Sequence, residues 1–97
     1  MATPLFMPGR FLATPGVLEA FEQAGQNVSE FLSRHLAGDW GVVSADDKAA
    51  NDESLKDGSR LLSAYLLKTG VKIWIITEAA DDQGNRVATT ALLPDEY

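Results

Sequence analysis

The densest cluster of chemically useful side chains in this 97-residue sequence is Arg34–Gly41, Arg-His-Leu-Ala-Gly-Asp-Trp-Gly. His35 and Asp39 could act as an acid–base pair beside Trp40, whose ring could stack on a substrate. Glu78, at the end of a predicted strand, completes this candidate polar cluster. The alternative is a helix end and loop in which His35 packs, Asp39 binds nearby amides and Trp40 anchors the loop in the core. We favour this structural interpretation.

The remaining composition argues against several classes of site. His35 is the single histidine and cysteine is absent, so a zinc site would need its other ligands from carboxylates alone. The sequence contains neither of the glycine-rich phosphate-binding patterns, G-x-G-x-x-G and G-x-x-x-x-G-K-[ST], and no G-x-S-x-G turn. We therefore predict no metal and no cofactor, and assign no catalytic residue.

Charge bears on the kind of partner. The formal net charge is −6, with 14 acidic and 8 basic residues, and the basic residues form no run. We therefore predict no direct nucleic-acid binding, which depends on Lys and Arg neutralising phosphates. The acids between Asp39 and Asp57 could steer the protein to a basic partner or mimic DNA phosphates. The alternative, which we favour, is a solvated helix with acids at its N-terminal end.

The N-terminal sequence and the apolar runs predict a cytoplasmic protein that does not enter membranes. The first ten residues lack a basic segment followed by an apolar stretch, so they do not resemble a signal peptide. The apolar-leaning runs Leu61–Leu67 and Val71–Ile76 are far shorter than the roughly 20 residues of a membrane-spanning helix.

The elements that must position these side chains begin with helices. Residues 1–8 carry two prolines and predict an irregular N-terminal arm, followed by a single domain over residues 9–97. Three helix starts are each marked by a capping residue, and three helix ends by a glycine. The caps are Thr14, Asn27 (expected to cap the amide of Glu30) and Ser44, and the glycines are Gly25, Gly38 and Gly58. The third helix is mostly polar and could break near Asn51.

The second half of the sequence changes to a period of two, which predicts strands. The predicted strands are Ser59–Lys68, Val71–Ala79 and Arg86–Leu93. Arg10–Ala13 could add a fourth strand at an edge. We therefore predict an α+β fold in which two or three N-terminal helices pack on one face of a small antiparallel β-meander of three or four strands.

The first turn fixes which side chains share a face of this sheet. A two-residue loop at Thr69-Gly70 would place Tyr65 directly opposite Trp74, on the face away from the helices. Together with Ile76, these two aromatic residues make a candidate interaction surface, because that face is too apolar for a fully solvated sheet. Cover by the N-terminal arm is the alternative, and the residues do not decide between the two.

Five stretches taken in order resemble a family of short uncharacterised bacterial proteins associated with plasmids and other mobile elements. They are Ala13-Thr-Pro-Gly-Val-Leu-Glu-Ala20, His35-Leu-Ala-Gly-Asp-Trp-Gly41, Arg60-Leu-Leu-Ser-Ala-Tyr65, Lys72-Ile-Trp-Ile-Ile-Thr-Glu-Ala79 and Leu92-Leu-Pro-Asp-Glu-Tyr97. Some members are labelled type I restriction endonuclease subunit M. The resemblance covers the chain from Gly9 onward and implies no activity and no site residues. We reject methyltransferase activity, because the glycine-rich cofactor turn and the catalytic loop are both missing.

Three functional hypotheses follow. The first is a non-enzymatic accessory module of a mobile element that binds a protein, either a second copy or another partner. The second is an anti-restriction or anti-defence protein that acts through its acidic surface. The third is a small hydrolase or nuclease using His35, Asp39 and Glu78.

Overall fold

The computed structural model describes residues 4–97 and has an α+β fold. Residues 4–8 form neither helix nor strand, and the first three residues of the predicted arm lie outside the described residues. No helix within residues 4–97 is long and apolar enough to cross a membrane. The elements are β1 (Arg10–Ala13), α1 (Pro15–Ala24), α2 (Val28–Leu36), α3 (Ala45–Asp57), β2 (Leu61–Leu66), β3 (Lys72–Thr77), β4 (Ala88–Leu92) and a 3₁₀ turn (Pro94–Glu96).

The sheet is mixed, which corrects the predicted all-antiparallel meander. Its four strands lie in the order β1-β4-β3-β2, and β1 runs parallel to β4 while the other pairs are antiparallel. The three helices lie between β1 and β2 in the chain, so they are interleaved with the strands and do not precede the whole sheet. A parallel pair needs a long connection between its strands, and here the three helices together with β2 and β3 connect β1 to β4. The predicted edge strand is thus confirmed.

The capping residues set the helix bounds largely as predicted. The Thr14 hydroxyl accepts a hydrogen bond from the Val17 amide, and Gly25 ends α1 with a left-handed φ of 64°. Asn27 caps α2 but accepts from the amide of Ser29 at 3.0 Å, so the predicted bond from Glu30 is wrong. A cap can serve either the second or the third amide of a helix, and the sequence does not distinguish the two.

Helix α3 is continuous from Ala45 to Asp57, so the predicted break near Asn51 is wrong. Asn51 is buried, and its side chain donates to the Leu62 carbonyl oxygen at 2.7 Å and accepts from the Leu62 amide at 3.1 Å. The polar residue in mid-helix therefore satisfies both backbone groups of Leu62 on the outer edge of β2, while Trp40 and Val42 bond those of Ala64 further along the same edge.

The register between β2 and β3 differs from the prediction by one residue. Tyr65 pairs with Ile73, and Trp74 pairs with Ala64. The Leu67 amide bonds the Val71 carbonyl, which leaves a three-residue loop that includes Gly70 at a φ of 89°. Because side chains alternate along a strand, one residue of slip moves Tyr65 to the opposite face from Trp74.

The hydrophobic core lies between α1, α2 and one face of the sheet. Phe21 and Phe31 pack at 5.7 Å between ring centroids, and Phe31 packs on Tyr65 at 5.3 Å. Leu18 of α1 points away from this core and is 51% exposed. The fully buried strand residues of this face include Leu61, Ser63, Tyr65, Ile73, Ile75, Thr77, Thr89 and Ala91.

Candidate functional site

The two faces of the sheet differ in how they are covered. We call the face that packs on α1 and α2 the helix face, and the opposite face the open face. By strand alternation, the open face carries Leu12, Leu62, Ala64, Leu66, Lys72, Trp74, Ile76, Ala88, Thr90 and Leu92.

The open face is apolar and only partly covered. Leu66 is 53% exposed and Leu12 is 43% exposed, while Ile76 is buried. The ring of Tyr97 stands edge-on to Trp74 at 6.0 Å between centroids, and the Tyr97 hydroxyl accepts a hydrogen bond from Arg60. Tyr97 itself is 73% exposed, so it covers Trp74 without sealing the face.

A groove of about 270 Å³ opens beside Tyr97. Ile76 and Leu92 form its apolar floor, and Glu78 and Glu96 bring carboxylates to its lining. Glu78 is exposed. The groove can therefore take an apolar side chain next to negative charge.

Glu96 ties the segment Leu93–Tyr97 to the start of α1. Its carboxylate accepts hydrogen bonds from the Thr14 hydroxyl, from the Gly16 amide at 3.2 Å and from the Leu93 amide at 2.8 Å. The bond from Thr14 contributes most to lowering the pKa of Glu96. The carboxylate thus occupies the helix N-terminus, where negative charge is favoured, and holds Tyr97 over the open face.

Tyr65 belongs to the helix face, which corrects the candidate interaction surface. It is 1% exposed, and its hydroxyl donates to the Asp39 carbonyl oxygen at 2.6 Å. Burial is the main cause that raises the pKa of Tyr65 to about 12. Gly41 has a φ of 75°, and a Cβ there would overlap the Ala64 carbonyl oxygen and the Tyr65 ring. Of the predicted surface residues, Trp74 and Ile76 share the open face.

The N-terminal arm does not supply the predicted cover for Trp74 within its described part. Phe6 packs edge-on to His35 at 5.3 Å and stacks on Trp40 at 6.4 Å. Both partners lie on the helix-face side, because His35 binds helix-face strand residues. The segment that ends in Tyr97 covers Trp74 in its place.

A chain of buried hydrogen bonds runs across the helix face. His35 Nδ1 lies 2.5 Å from the Ser63 hydroxyl, and Nε2 lies 2.8 Å from the Thr77 hydroxyl. Thr77 bonds Thr89 at 2.7 Å, and Thr89 donates to the Pro8 carbonyl oxygen at 2.8 Å. The four side chains of this His35 network are 0% exposed.

The Pro8 carbonyl oxygen fixes the direction of each bond from Thr89 to His35 Nε2. A carbonyl only accepts, so Thr89 donates its single proton to it and accepts from Thr77. Thr77 has then used its proton and accepts from His35 Nε2–H. Because burial keeps the imidazole neutral, Nδ1 carries no proton and accepts from the Ser63 hydroxyl.

Burial is the main cause that lowers the pKa of His35 from 6.5 to about 4, and the charge of Arg86 adds to it. Both ring nitrogens are occupied and the ring is sealed from solvent by Phe6 and Trp40. This arrangement holds strands and helix in register but leaves no nitrogen facing a substrate.

Of the other members of the predicted polar cluster, Trp40 packs against His35, while Asp39 and Glu78 have their contacts elsewhere. Asp39 pairs with Arg34 at 2.7 Å, and this bond is the main cause that lowers the pKa of Asp39. Trp40 is buried beside His35 at 5.6 Å, and its indole N–H donates to Asp52 at 3.2 Å. Glu78 lines the groove beside Tyr97. Residues 4–97 contain no group of three His, Asp or Glu side chains placed to hold a metal ion.

Sequence reasoning missed the partners that give His35 its role. Ser63, Thr77 and Thr89 each occupy an inward position of an otherwise apolar strand. Inward hydroxyls on adjacent strands could have indicated a buried polar partner. The correct register was needed to place Ser63 inward, and the predicted register placed it outward.

Comparisons with protein-family models, with curated proteins and with solved structures find no match to this chain. The resemblance to the mobile-element family therefore stays a prediction.

Proposed function

We propose that this chain is a non-enzymatic interaction module that binds a partner protein on its open face. The observation that carries the proposal is the contrast in exposure between the faces: Leu66 and Leu12, on the two outer strands of the open face, are 53% and 43% exposed, while the helix-face side chains of β2, β3 and β4 are buried. Aromatic and aliphatic side chains around a pocket are the usual anchors of protein interfaces. Membership of a mobile-element system belongs to the same proposal and is supported by the sequence resemblance.

The groove indicates the chemistry of the partner. Its apolar floor, Ile76 and Leu92, fits one aliphatic or aromatic side chain, and the exposed carboxylate of Glu78 lies at its side. With a net charge of −6 on the whole chain, the partner is a protein segment that places Lys or Arg next to an apolar residue.

The test begins with a pull-down that identifies a partner and continues with the two purified proteins in a calorimeter. Leu66→Thr keeps a strand-forming residue but removes the exposed apolar group, and Glu78→Lys reverses the charge at the groove. Both should weaken binding at least about tenfold. Leu18→Gln on α1 is the matched control, since Leu18 is 51% exposed but lies on a helix.

Equal binding by Leu66→Thr, Glu78→Lys and wild type would contradict docking on the open face. Loss of binding in Leu18→Gln alone would move the interface to α1. Dimerisation in light scattering that Leu66→Thr abolishes would replace the separate partner by a second copy of this chain.

The acidic-surface hypothesis has one structural observation in its favour. The acids of α3, including Asp46, Asp47 and Glu53, are exposed on a helix whose buried residues are Asn51 and Ser54. Inhibition of a restriction complex that is lost in Asp46→Asn/Asp47→Asn/Glu53→Gln, with open-face variants unaffected, would favour it. The hydrolase hypothesis lacks such support, because its three side chains lie apart.

A further inference from the structure

Arg86 is held in an unusual way for a cation. Its Nη1 donates to the carbonyl oxygens of Ser59 at 2.8 Å and Glu78 at 2.9 Å, and its Nη2 donates to that of Ser54 at 3.1 Å. The guanidinium carbon lies 5.7 Å from the centre of the Phe6 ring. These contacts fix the guanidinium where α3, the turn before β2 and the end of β3 meet.

The carbonyl oxygens leave the charge of Arg86 without a carboxylate partner. The ion pair present among residues 4–97 joins Arg34 and Asp39. A guanidinium has five N–H donors, and the three bonds leave Nε–H and one Nη2–H for another acceptor. Burial lowers the pKa of Arg86, which Asp57 partly offsets. An anion placed here would therefore meet a fixed and incompletely solvated cation.

A cavity of about 540 Å³ has Arg86 in its lining. Phe6, Met7 and Leu55 contribute apolar side chains to the lining, Asn85 contributes a polar one, and Arg86 is the charged residue. This volume lies in the range of small-molecule sites, which combine mostly apolar walls with a few placed polar groups.

We propose that this cavity binds a small organic carboxylate, with its carboxylate on Arg86 and its apolar body against Phe6 and Leu55. The planar fork of an arginine matches a carboxylate, and a single cation among apolar walls suits a monoanion better than a phosphate. This site is separate from the open face, so the proposal does not depend on whether a partner protein binds there.

Phenylacetate is a suitable probe, and NMR of the full-length ¹⁵N-labelled chain is the readout. Phenylacetate at roughly 10 mM, ten times a millimolar Kd, should shift the Arg86 Nε–H resonance and the amides of residues 84–86. Its neutral analogue 2-phenylethanol should leave the Nε–H in place, because it carries the ring without the charge. Inorganic phosphate should bind more weakly, because it carries charge without the ring.

Two variants separate recognition from folding. Leu55→Trp fills the cavity and keeps Arg86, and Arg86→Lys keeps the charge but loses the fork. Each should weaken phenylacetate binding roughly ten- to hundredfold, the equivalent of one charged hydrogen-bonded contact. Arg60→Lys, which changes an arginine bound to Tyr97, should bind as wild type does.

Three results would overturn the proposal. One is an Arg86 Nε–H that does not move with phenylacetate, and another is unchanged phenylacetate binding by folded Leu55→Trp. The third is phosphate binding as tight as that of phenylacetate, which would indicate a general anion site with no role for the apolar walls. If Arg86→Lys fails to fold, Leu55→Trp still decides the question.

Discussion

Tyr65 and Trp74 lie in adjacent strands of one sheet, yet their surroundings differ completely. Tyr65 is 1% exposed, touches Phe31 and donates to the Asp39 carbonyl oxygen. Trp74, on the open face, is half-buried under a single ring from Tyr97. The side chains of the helix face therefore form the core, while the open face leaves apolar side chains such as Leu66 exposed. The two aromatic side chains lie on opposite faces because of the β2–β3 register, and a shift of one residue would place them on the same face.

The largest loss of stability should come from truncating a buried side chain on the helix face. Tyr65→Ala removes a buried ring from between Phe31 and Arg34 and leaves the Asp39 carbonyl oxygen without its donor. We expect a loss of about 3–5 kcal/mol in the free energy of unfolding, measured by urea denaturation. Trp74→Ala on the open face should cost about 1–2 kcal/mol, since part of its surface is already in water.

Tyr65→Phe separates the ring from the hydroxyl and should cost about 1 kcal/mol. Equal losses for Tyr65→Ala and Trp74→Ala would contradict the division of roles between the faces. Such a result would mean that the open face contributes as much stability as the core.

The His35 network should make the helix face sensitive to acid. The folded chain holds His35 neutral with a pKa of about 4, while the unfolded chain titrates near 6.5. Between these pH values the unfolded state binds a proton that the folded state does not, so stability falls as the pH falls. The loss should total about 3 kcal/mol by the bottom of this range.

Urea denaturation at a series of pH values measures this loss, and His35→Gln is its control. Glutamine does not titrate, so the variant should lose the part of the pH slope between about pH 6.5 and 4 even if it is less stable throughout. The same slope in both proteins would show that carboxylates, and not His35, cause the acid sensitivity.

The sequence could predict the helices better than the sheet, and the reason is local chemistry. Thr14, Ser44 and Gly58 mark helix bounds through groups within a few residues, so their spacing is informative. The β2–β3 register depends on whether the loop has two residues or three, and Thr69-Gly70 suits either length. The His35 network and the Arg86 contacts join residues 27 or more positions apart for most bonds, and no local pattern reports them.

Asn51 offers a test of how the edge of β2 is closed. Asn51→Ala removes both bonds to Leu62 and should lower the free energy of unfolding by about 1–3 kcal/mol, because buried backbone groups lose their partners. Hydrogen exchange at the Leu62 amide should accelerate more than at the Ile75 amide in the centre of the sheet. Unchanged exchange at Leu62 would contradict a role for α3 in closing this edge.

The smallest stability effect should come from Leu66, and this makes it the most informative site on the open face. Leu66 is 53% exposed, so Leu66→Thr should change the free energy of unfolding by no more than about 0.5 kcal/mol. Threonine keeps a high strand propensity, so the register should also survive. If urea denaturation shows a loss as large as that of Trp74→Ala, Leu66 packs in the fold more than its exposure indicates. If stability is unchanged, any loss of partner binding by Leu66→Thr is caused by the altered surface and not by a change in the fold.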